Sequence, residues 1–395
     1  RGGDKIRIAD RLVSVPSGTQ RWNESWTRPM TDLLSVQEEI ARAVATAIAG
    51  KLLPQEQSVL AIRTTANPEA YDHFLRGNFL LARRTPSGAL GAIAEYRAAL
   101  RADTGFAQAE ARIALTYNLY SSWGWDYPGV SPDSLTTLGG LAADRALAID
   151  STTADAWMAR GGFLSDRHPR TLDGAFAALA RATELDPRNA EAWQQYAARL
   201  MFAGRYDESI VAYHRALALE PKRAVTWDDL ALAYELMHRE GEALAAYDSA
   251  LAVDPEYYSS YVSRCRLRLR RGDRAGARAD AESARRTSPP GEAQYGLVAM
   301  ALVTASEGDT AGARRLMADV IALLSQRPVG PLSAWHIVAG LLAAGQRAQA
   351  LDWLERARPR GALLWWAMQY PEVDALRDDP RFRRVMEESR PPGIK

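Results

Sequence analysis

Four prolines, Pro187, Pro221, Pro255 and Pro289, recur every 34 residues, and the side chains between them repeat one pattern of large and small apolar groups. A fixed period of this length constrains the fold strongly, because a unit of that size cannot bury its own apolar face and must stack on copies of itself. Aligned on the prolines, Trp193, Trp227 and Tyr261 fall in register, as do Ala197, Ala231 and Cys265, then Ser209, Ala243 and Ala277, then Ala216, Ala250 and Ala284. The large aromatic is expected to fill the gap between two antiparallel helices, and the small residues to let helix backbones approach closely. Gly204 and Gly272 mark the turn inside each unit. Leu-Asp-Pro, Leu-Glu-Pro and Val-Asp-Pro close it, since proline cannot continue a helix yet suits the first turn of the next one.

The segments AEAWQQYAARLMFAGRYDESIVAYHRALALEP and AVTWDDLALAYELMHREGEALAAYDSALAVDP resemble the tetratricopeptide repeat. The resemblance implies an all-α, right-handed superhelical solenoid of helix pairs whose first helices line a concave groove. Weaker copies extend the array. ADAWMARGGFLSDRHPRTLDGAFAALARATELDP fits with a two-residue insertion, FAQAEARIALTY through AADRALAID fits with a longer one, and a first copy runs from Pro68 to Asp103 with Tyr96 and Ala99 in its second helix. Two degenerate pairs follow Pro289, giving about eight helix pairs between residues 68 and 358.

Composition supplies ample material for a core, with 47% hydrophobic and 25% charged residues. No apolar run is long enough to cross a bilayer, and no basic start leads into an apolar signal segment. A net charge of +1 gives no bulk attraction to nucleic acid or acidic membranes. Lysine occurs only at Lys5, Lys51, Lys222 and Lys395, an arginine bias that reads as the coding habit of a GC-rich bacterium. The single cysteine, Cys265, stands at a small-residue position and reads as a buried space-filler. His73, His168, His214, His238 and His336 fall in different repeats without ligand spacing, so neither metal nor cofactor is expected. Gly-x-Ser-x-Gly, HRD and DFG phrases are missing, and RGGDK lacks the spacing of a phosphate loop, so no catalytic residues are expected.

The N-terminal end departs from the period. KIRIADRLVSV alternates Ile6, Ile8, Asp10 and Leu12 against Arg7, Ala9, Arg11 and Val13, PSGTQ supplies a turn, and RWNESW reads as a second strand. A helix is expected from Thr31, with Leu34, Ile40, Val44 and Ile48 on one face. A lone hairpin is marginal in water, so further strands are expected before Arg1, and the chain reads as truncated at its N-terminus. Residues 1–55 are similar to the end of the TolB-like α/β domain that precedes tetratricopeptide arrays in bacterial signalling proteins. Gly18, Trp22, Arg28, Asp32, Leu33, Val36, Gln37, Glu39 and Ile40 match its phrases, whereas Ser14-Val15 and Trp26 depart from them. YPEVDALRDDPRFRRVMEE resembles the closing helix of such proteins, which makes residues 359–395 a capping helix and tail. The charge of this end gives it a polar outer face and disfavours end-to-end stacking. In that family the upstream partner is a serine/threonine kinase, an adenylate cyclase or a winged-helix domain, and any such activity would lie outside this chain.

Repeat register places Glu191, Gln194, Ala198, Met201 and Phe202, then Val225, Asp228, Leu232, Glu235 and Leu236, then Ser259, Val262, Arg266, Leu269 and Arg270 on the groove. The peptide-groove candidates are Glu191, Gln194, Met201, Phe202, Asp228, Glu235, Arg266 and Arg270. Val225, Asp228 and Leu232 do not match the Lys/Asn clamp by which some family members hold a terminal carboxylate. Arg264, Arg266, Arg268, Arg270 and Arg271 crowd one helix. They form either a cationic patch for an acidic or phosphorylated segment or a face paired with nearby acids such as Asp273, Asp280 and Glu282. The abundance of arginine favours the second reading. The insertion bearing Trp123, Trp125 and Tyr127 is an aromatic anchor for a partner or, as aromatic clusters more often are, a loop packed on the adjacent repeat. The expected function is a scaffold that binds a protein or peptide segment in the groove for bacterial signalling. The alternative is the regulatory half of a kinase, cyclase or winged-helix regulator.

Overall fold

Helix follows helix from Pro68 onward in the computed structural model, which describes residues 5–13, 20–29, 39–40, 43, 46, 65–81, 85–123, 125, 127–167, 172–325, 331–357 and 362–390. The chain divides into two compact units, Arg1–Ile113 and Ala114–Lys395.

In the first unit, strands β1 (Lys5–Val13) and β2 (Gln20–Pro29) pair antiparallel, with Ile8 opposite Trp26 and Asp10 opposite Glu24. Trp26 is buried, its ring 5.9 Å from that of Trp22. The hairpin is therefore as the alternation requires. Of the helix expected from Thr31, Glu39, Ile40, Ala43 and Thr46 are helical, and the rest lies outside the described residues. Helices α1 (Pro68–Leu81) and α2 (Pro86–Ala102) form the first pair. Thr85 caps α2 by accepting from the Gly88 amide at 3.1 Å, and Pro86 occupies the first turn, where a missing N–H costs nothing. Tyr96 is fully buried against Gly77, where an added Cβ would stand 2.4 Å from the ring. Large-into-small packing thus sets how closely the pair crosses.

Helix α3 (Ala107–Trp123) runs through the boundary and is followed by α4 (Pro132–Ile149). The second unit continues with α5 (Ala154–Arg167) and α6 (Leu172–Leu185), α7 (Ala190–Phe202) and α8 (Tyr206–Leu219), and α9 (Ala224–Leu236) and α10 (Glu240–Val253). Next come α11 (Tyr258–Arg270) and α12 (Arg274–Thr287), α13 (Ala293–Ser306) and α14 (Thr310–Leu324), and α15 (Pro331–Ala343) and α16 (Arg347–Ala357). Among the described residues the chain thus comprises eight helix pairs, an all-α solenoid, together with one two-stranded sheet. Within the second unit the first helix of each pair touches the first helix of the next, from α5 through α15, so these helices build a continuous inner face.

The small positions are where backbones meet. Ala197, Ala231 and Cys265 are fully buried, as are Ser209, Ala243 and Ala277, and the Ser209 hydroxyl donates to the Ala197 carbonyl at 2.8 Å. Burial pushes the Cys265 thiol up to about 12, which keeps it protonated and inert. The interior aromatics are Tyr213 and Tyr247, one period apart and fully buried. The repeated Trp193, Trp227 and Tyr261 instead stay half-buried and reach back to the proline that opens their unit. The two indole N–H groups donate to the Pro187 and Pro221 carbonyls at 3.0 and 2.9 Å, and the Tyr261 hydroxyl donates to the Pro255 carbonyl at 3.2 Å. These side chains pin each linker to the next helix, a task that a space-filling residue without a donor would not perform.

The five pairs from α7–α8 onward each turn through a residue in the left-handed region, which lets the last carbonyls of the first helix be satisfied. Gly204, Gly272, Gly308 and Gly345 take it at φ 74, 78, 92 and 69°, and in α9–α10 the same place is held by His238 at φ 56°. A Cβ is disfavoured there, and the imidazole is exposed, so it returns nothing by packing. His238→Gly is expected to raise stability by about 0.5–1 kcal/mol, read as a higher urea midpoint at unchanged slope; a lowered midpoint would contradict this account of the turn.

Candidate functional site on the inner face

The groove candidates separate into two sets. Glu191, Gln194 and Asp228 tie repeats together near the start of each first helix. Glu191 faces Arg223 at 3.5 Å, and the Gln194 amide donates to Asp229 at 2.7 Å. Asp228 accepts from the Ser260 hydroxyl at 2.6 Å and from Ser259 at 3.2 Å. Met201, Phe202, Glu235, Arg266 and Arg270 lie further along the same helices, and the structure places them against one shared occupant.

That occupant is the chain's own C-terminal end. Where a single closing helix is expected, three short elements follow α16: α17 (Ala362–Ala367), a 3-10 helix (Pro371–Leu376) and α18 (Pro380–Ser389). Proline at the first turn of the last two breaks the segment, so it bends rather than continuing as one rod. Helix α18 packs on α16 with Phe382 and Val385 buried. Arg381 there donates to Glu355 at 2.7 Å and to Asp352 at 2.7 Å. Helix α17 and the 3-10 turn do something else. They cross the inner face, α17 against α5, α7 and α15, and the turn against α15.

The contacts are aromatic and ionic. The Trp366 ring sits 4.9 Å from Phe202, and Tyr370 stacks on Trp335 with centroids 4.4 Å apart. The Arg266 guanidinium lies 4.6 Å from the Trp335 ring and 4.8 Å from Tyr370. It donates to Glu235 at 2.7 Å and to Glu372 at 3.1 Å. Arg270 donates to the same Glu372 oxygen at 2.6 Å and also to Glu235, which in turn accepts from the Tyr247 hydroxyl at 2.5 Å. Two arginines and two carboxylates therefore close into one neutral cluster, three members from the array and one from the C-terminal segment. Burial opposes the charge on Arg266, but Glu235 and Glu372 beside it hold it protonated. Burial likewise pushes Glu372 up, and Arg266 and Arg270 outweigh it, leaving the carboxyl below its ordinary value.

The remaining arginines of α11 turn the other way. Arg264 is bidentate to Asp280 at 3.0 and 2.6 Å and reaches Asp248 at 2.5 Å, while Arg268 donates to Asp280 at 2.9 Å. Helical spacing thus splits the run into two internally paired faces, with Arg271 exposed beyond it. The aromatic insertion packs on α3: Trp125 meets Tyr120 edge-on at 5.6 Å, and Tyr127 lies 5.2 Å from Tyr120. The Trp123 side chain lies outside the described residues. Among the described residues, no group of three or more His, Cys, Asp or Glu side chains could hold a metal ion, and no helix is long and apolar enough to cross a membrane.

Trp335, Trp366, Tyr370 and Glu372 escape repeat arithmetic because they lie beyond the last well-kept period. The one local signal is the density of aromatics in LLWWAMQYPE, which is unusual for a polar cap.

Comparison with known proteins adds context. No protein-family profile matches the chain. One curated relative, Putative adenylate cyclase 3 of Rhizobium meliloti (strain 1021), is 30% identical over 154 residues, 38% of this chain and 25% of that protein, so the match spans a quarter of the relative's length. Among solved structures, PilF of Pseudomonas aeruginosa is similar over 57% of this chain and 94% of its own, at 18% identity and TM-score 0.44. A thermophilic TPR protein of Thermus thermophilus is similar over 51% of this chain and 99% of its own, at 20% identity and TM-score 0.42. Yeast Tom70 is similar over 81% of this chain and 68% of its own, at 14% identity and TM-score 0.49.

Two outcomes follow from the buried charges. Arg266→Met leaves Arg270 alone against the buried Glu235 and Glu372 and should cost about 3–5 kcal/mol, whereas Arg266→Met with Glu235→Gln restores a one-to-one pair and should recover at least half of that loss; chemical denaturation of the two variants decides, and equal losses would refute the coupling. Burial raises Asp228 from its ordinary 3.8 to about 7, with Asp229 and Glu235 adding to the rise, and burial raises Asp229 to about 6. Carboxyls that keep their protons longer in the folded state favour folding below about pH 4 and lose that contribution as pH climbs through these values. Between pH 5 and pH 8 the wild-type chain should lose on the order of 4 kcal/mol from this source, and Asp228→Asn should lose distinctly less. Parallel urea titrations at the two pH values test it, and an identical drop in both proteins would remove Asp228 from the explanation.

Proposed function

We propose that this chain is a protein-interaction scaffold whose inner face, built on Met201, Phe202, Glu235, Arg266 and Arg270, recognises a segment of another protein. The observation that carries the reading is the occupied groove itself. A surface that seats Trp366, Tyr370 and Glu372 on those residues has the shape and charge to hold a peptide segment. Recognition by a preformed array limits the ordering cost to the incoming segment, since the helices are already packed. Bacterial signalling is the setting that the TolB-like and tetratricopeptide resemblances favour, with residues 1–55 as the end of a TolB-like domain and 68–358 as the array.

A second reading draws on a different observation. The partial similarity to Putative adenylate cyclase 3 of Rhizobium meliloti supports the chain's being the regulatory part of a cyclase-type or kinase-type protein, with the chemistry elsewhere. The inner face would then answer to a domain of the same polypeptide.

In-cell photocross-linking separates the two. A photoreactive residue at Leu236, on the inner face, should yield an adduct with a distinct second polypeptide, while one at Val211, which is 70% exposed on α8, should not. Adducts confined to the parent polypeptide would favour the regulatory reading, and identical patterns from both positions would overturn recognition by the inner face.

A further inference from the structure

We infer that residues 362–376 are an internal stand-in for the partner, and that the groove selects segments carrying two aromatic side chains four residues apart followed by a carboxylate. The inference deepens the scaffold reading and rests on it.

The segment's own chemistry defines the selection. Trp366 lies in the last turn of α17 and Tyr370 stands three residues beyond its end, in extended backbone, yet their rings meet edge-on at 5.6 Å and face Phe202 and Trp335 on the array. Glu372 follows two residues later and supplies the carboxylate that Arg266 and Arg270 share. Without it, Arg266 and Arg270 would share Glu235, with Glu240 reaching only Arg270 at 3.9 Å, and the fully buried Arg266 would lose one of its two carboxylates, which burial penalises. An incoming segment must therefore bring an acid to this point. The neighbouring charges of the segment do not compete, because Asp374 pairs with Arg377 at 2.6 Å on the exposed side.

The same contacts argue for a segment that can leave. The Tyr370 hydroxyl reaches the Leu232 carbonyl at only 3.4 Å, against 2.6 and 2.7 Å for the links between repeats made by Ser260 and Gln194. Trp335 Nε1, Trp366 Nε1, Arg266 Nε and Glu372 Oε2 are buried at this seam without a protein partner. Unpaired polar atoms offset the apolar gain of docking. Helix α18 keeps its own anchors at Arg381–Glu355 and Arg347–Asp379, and Arg347 also donates to the Ala375 carbonyl, so residues 362–374 form a tethered span that can swing out while the end of the array stays capped. Tethering raises the local concentration of the stand-in and sets a threshold that a partner must exceed.

The test uses the full chain and a fluorescent peptide of sequence ALLWWAMQYPEVDALRD. A Tyr370→Ala, Glu372→Gln chain should bind the peptide at least tenfold more tightly than the wild type does, and the peptide with lysine in place of the glutamate should lose at least tenfold. A loosened chain that keeps its helical circular dichroism yet binds no better than the wild type would overturn the inference. Should the double variant misfold, hydrogen exchange on the wild-type chain decides: amides of 364–376 should exchange at least tenfold faster than those of α11 and α13, and equal protection would sink the proposal. Inner-face adducts in cells together with equal protection would remove the stand-in alone. Peptide binding to the loosened chain without any adduct in cells would instead remove the scaffold reading and leave the self-recognition standing.

Discussion

A guanidinium cannot be buried alone. Arg266, 3% exposed, is the point at which this structure meets that constraint, and it does so by drawing Glu235 from the preceding pair and Glu372 from more than 100 residues downstream. Removing a charge of this kind from water costs several kcal/mol, and only short, well-directed contacts to carboxylates return it. The array therefore cannot be considered complete at its last helix pair. Its inner face acquires a neutral interior only when the C-terminal segment, lying against α5, α7 and α15, brings Glu372 to Arg266 and Arg270. The aromatic contacts of Trp366 and Tyr370 then follow, because the path that delivers Glu372 to Arg266 also lays those rings on Phe202 and Trp335.

The repeat period made most of the helical architecture legible. A proline at fixed spacing, a glycine at most of the turns and alanines in register are local signals, each with a local cause, and they agree with one another. For that reason the eight pairs, the turn positions and the burial of Cys265 follow from the sequence. The part played by Trp193, Trp227 and Tyr261 was less legible. Size alone suggests filling, and only the geometry reveals indole and phenol donors holding the proline carbonyls.

The groove shows the other limit of reading from sequence. Register assigns Met201, Phe202, Glu235, Arg266 and Arg270 to one face, since helical periodicity determines which side chains share a side. It carries no information about what opposes that face when the opposing residues are remote in the chain. The arginine run of α11 is the plainest case. Five cations crowd one helix, yet Arg264 and Arg268 are consumed by Asp280 and Asp248 on one side and Arg266 and Arg270 by Glu235 and Glu372 on the other. Only the folded arrangement supplies those carboxylates.

A cluster of this sort is a poor way to gain stability, because apolar side chains of similar volume would fill the same space without the desolvation penalty. Its advantage is selectivity. On the proposed scaffold reading, an apolar face would accept any greasy segment that reached it, whereas Arg266 and Arg270 would favour one that brings an acid to the place Glu372 holds. The aromatics supply most of the attraction and the ion pairs determine which segment is attracted. That division suits a surface that must hold its own segment, yet discriminate among the many polypeptides that carry exposed tryptophan or tyrosine.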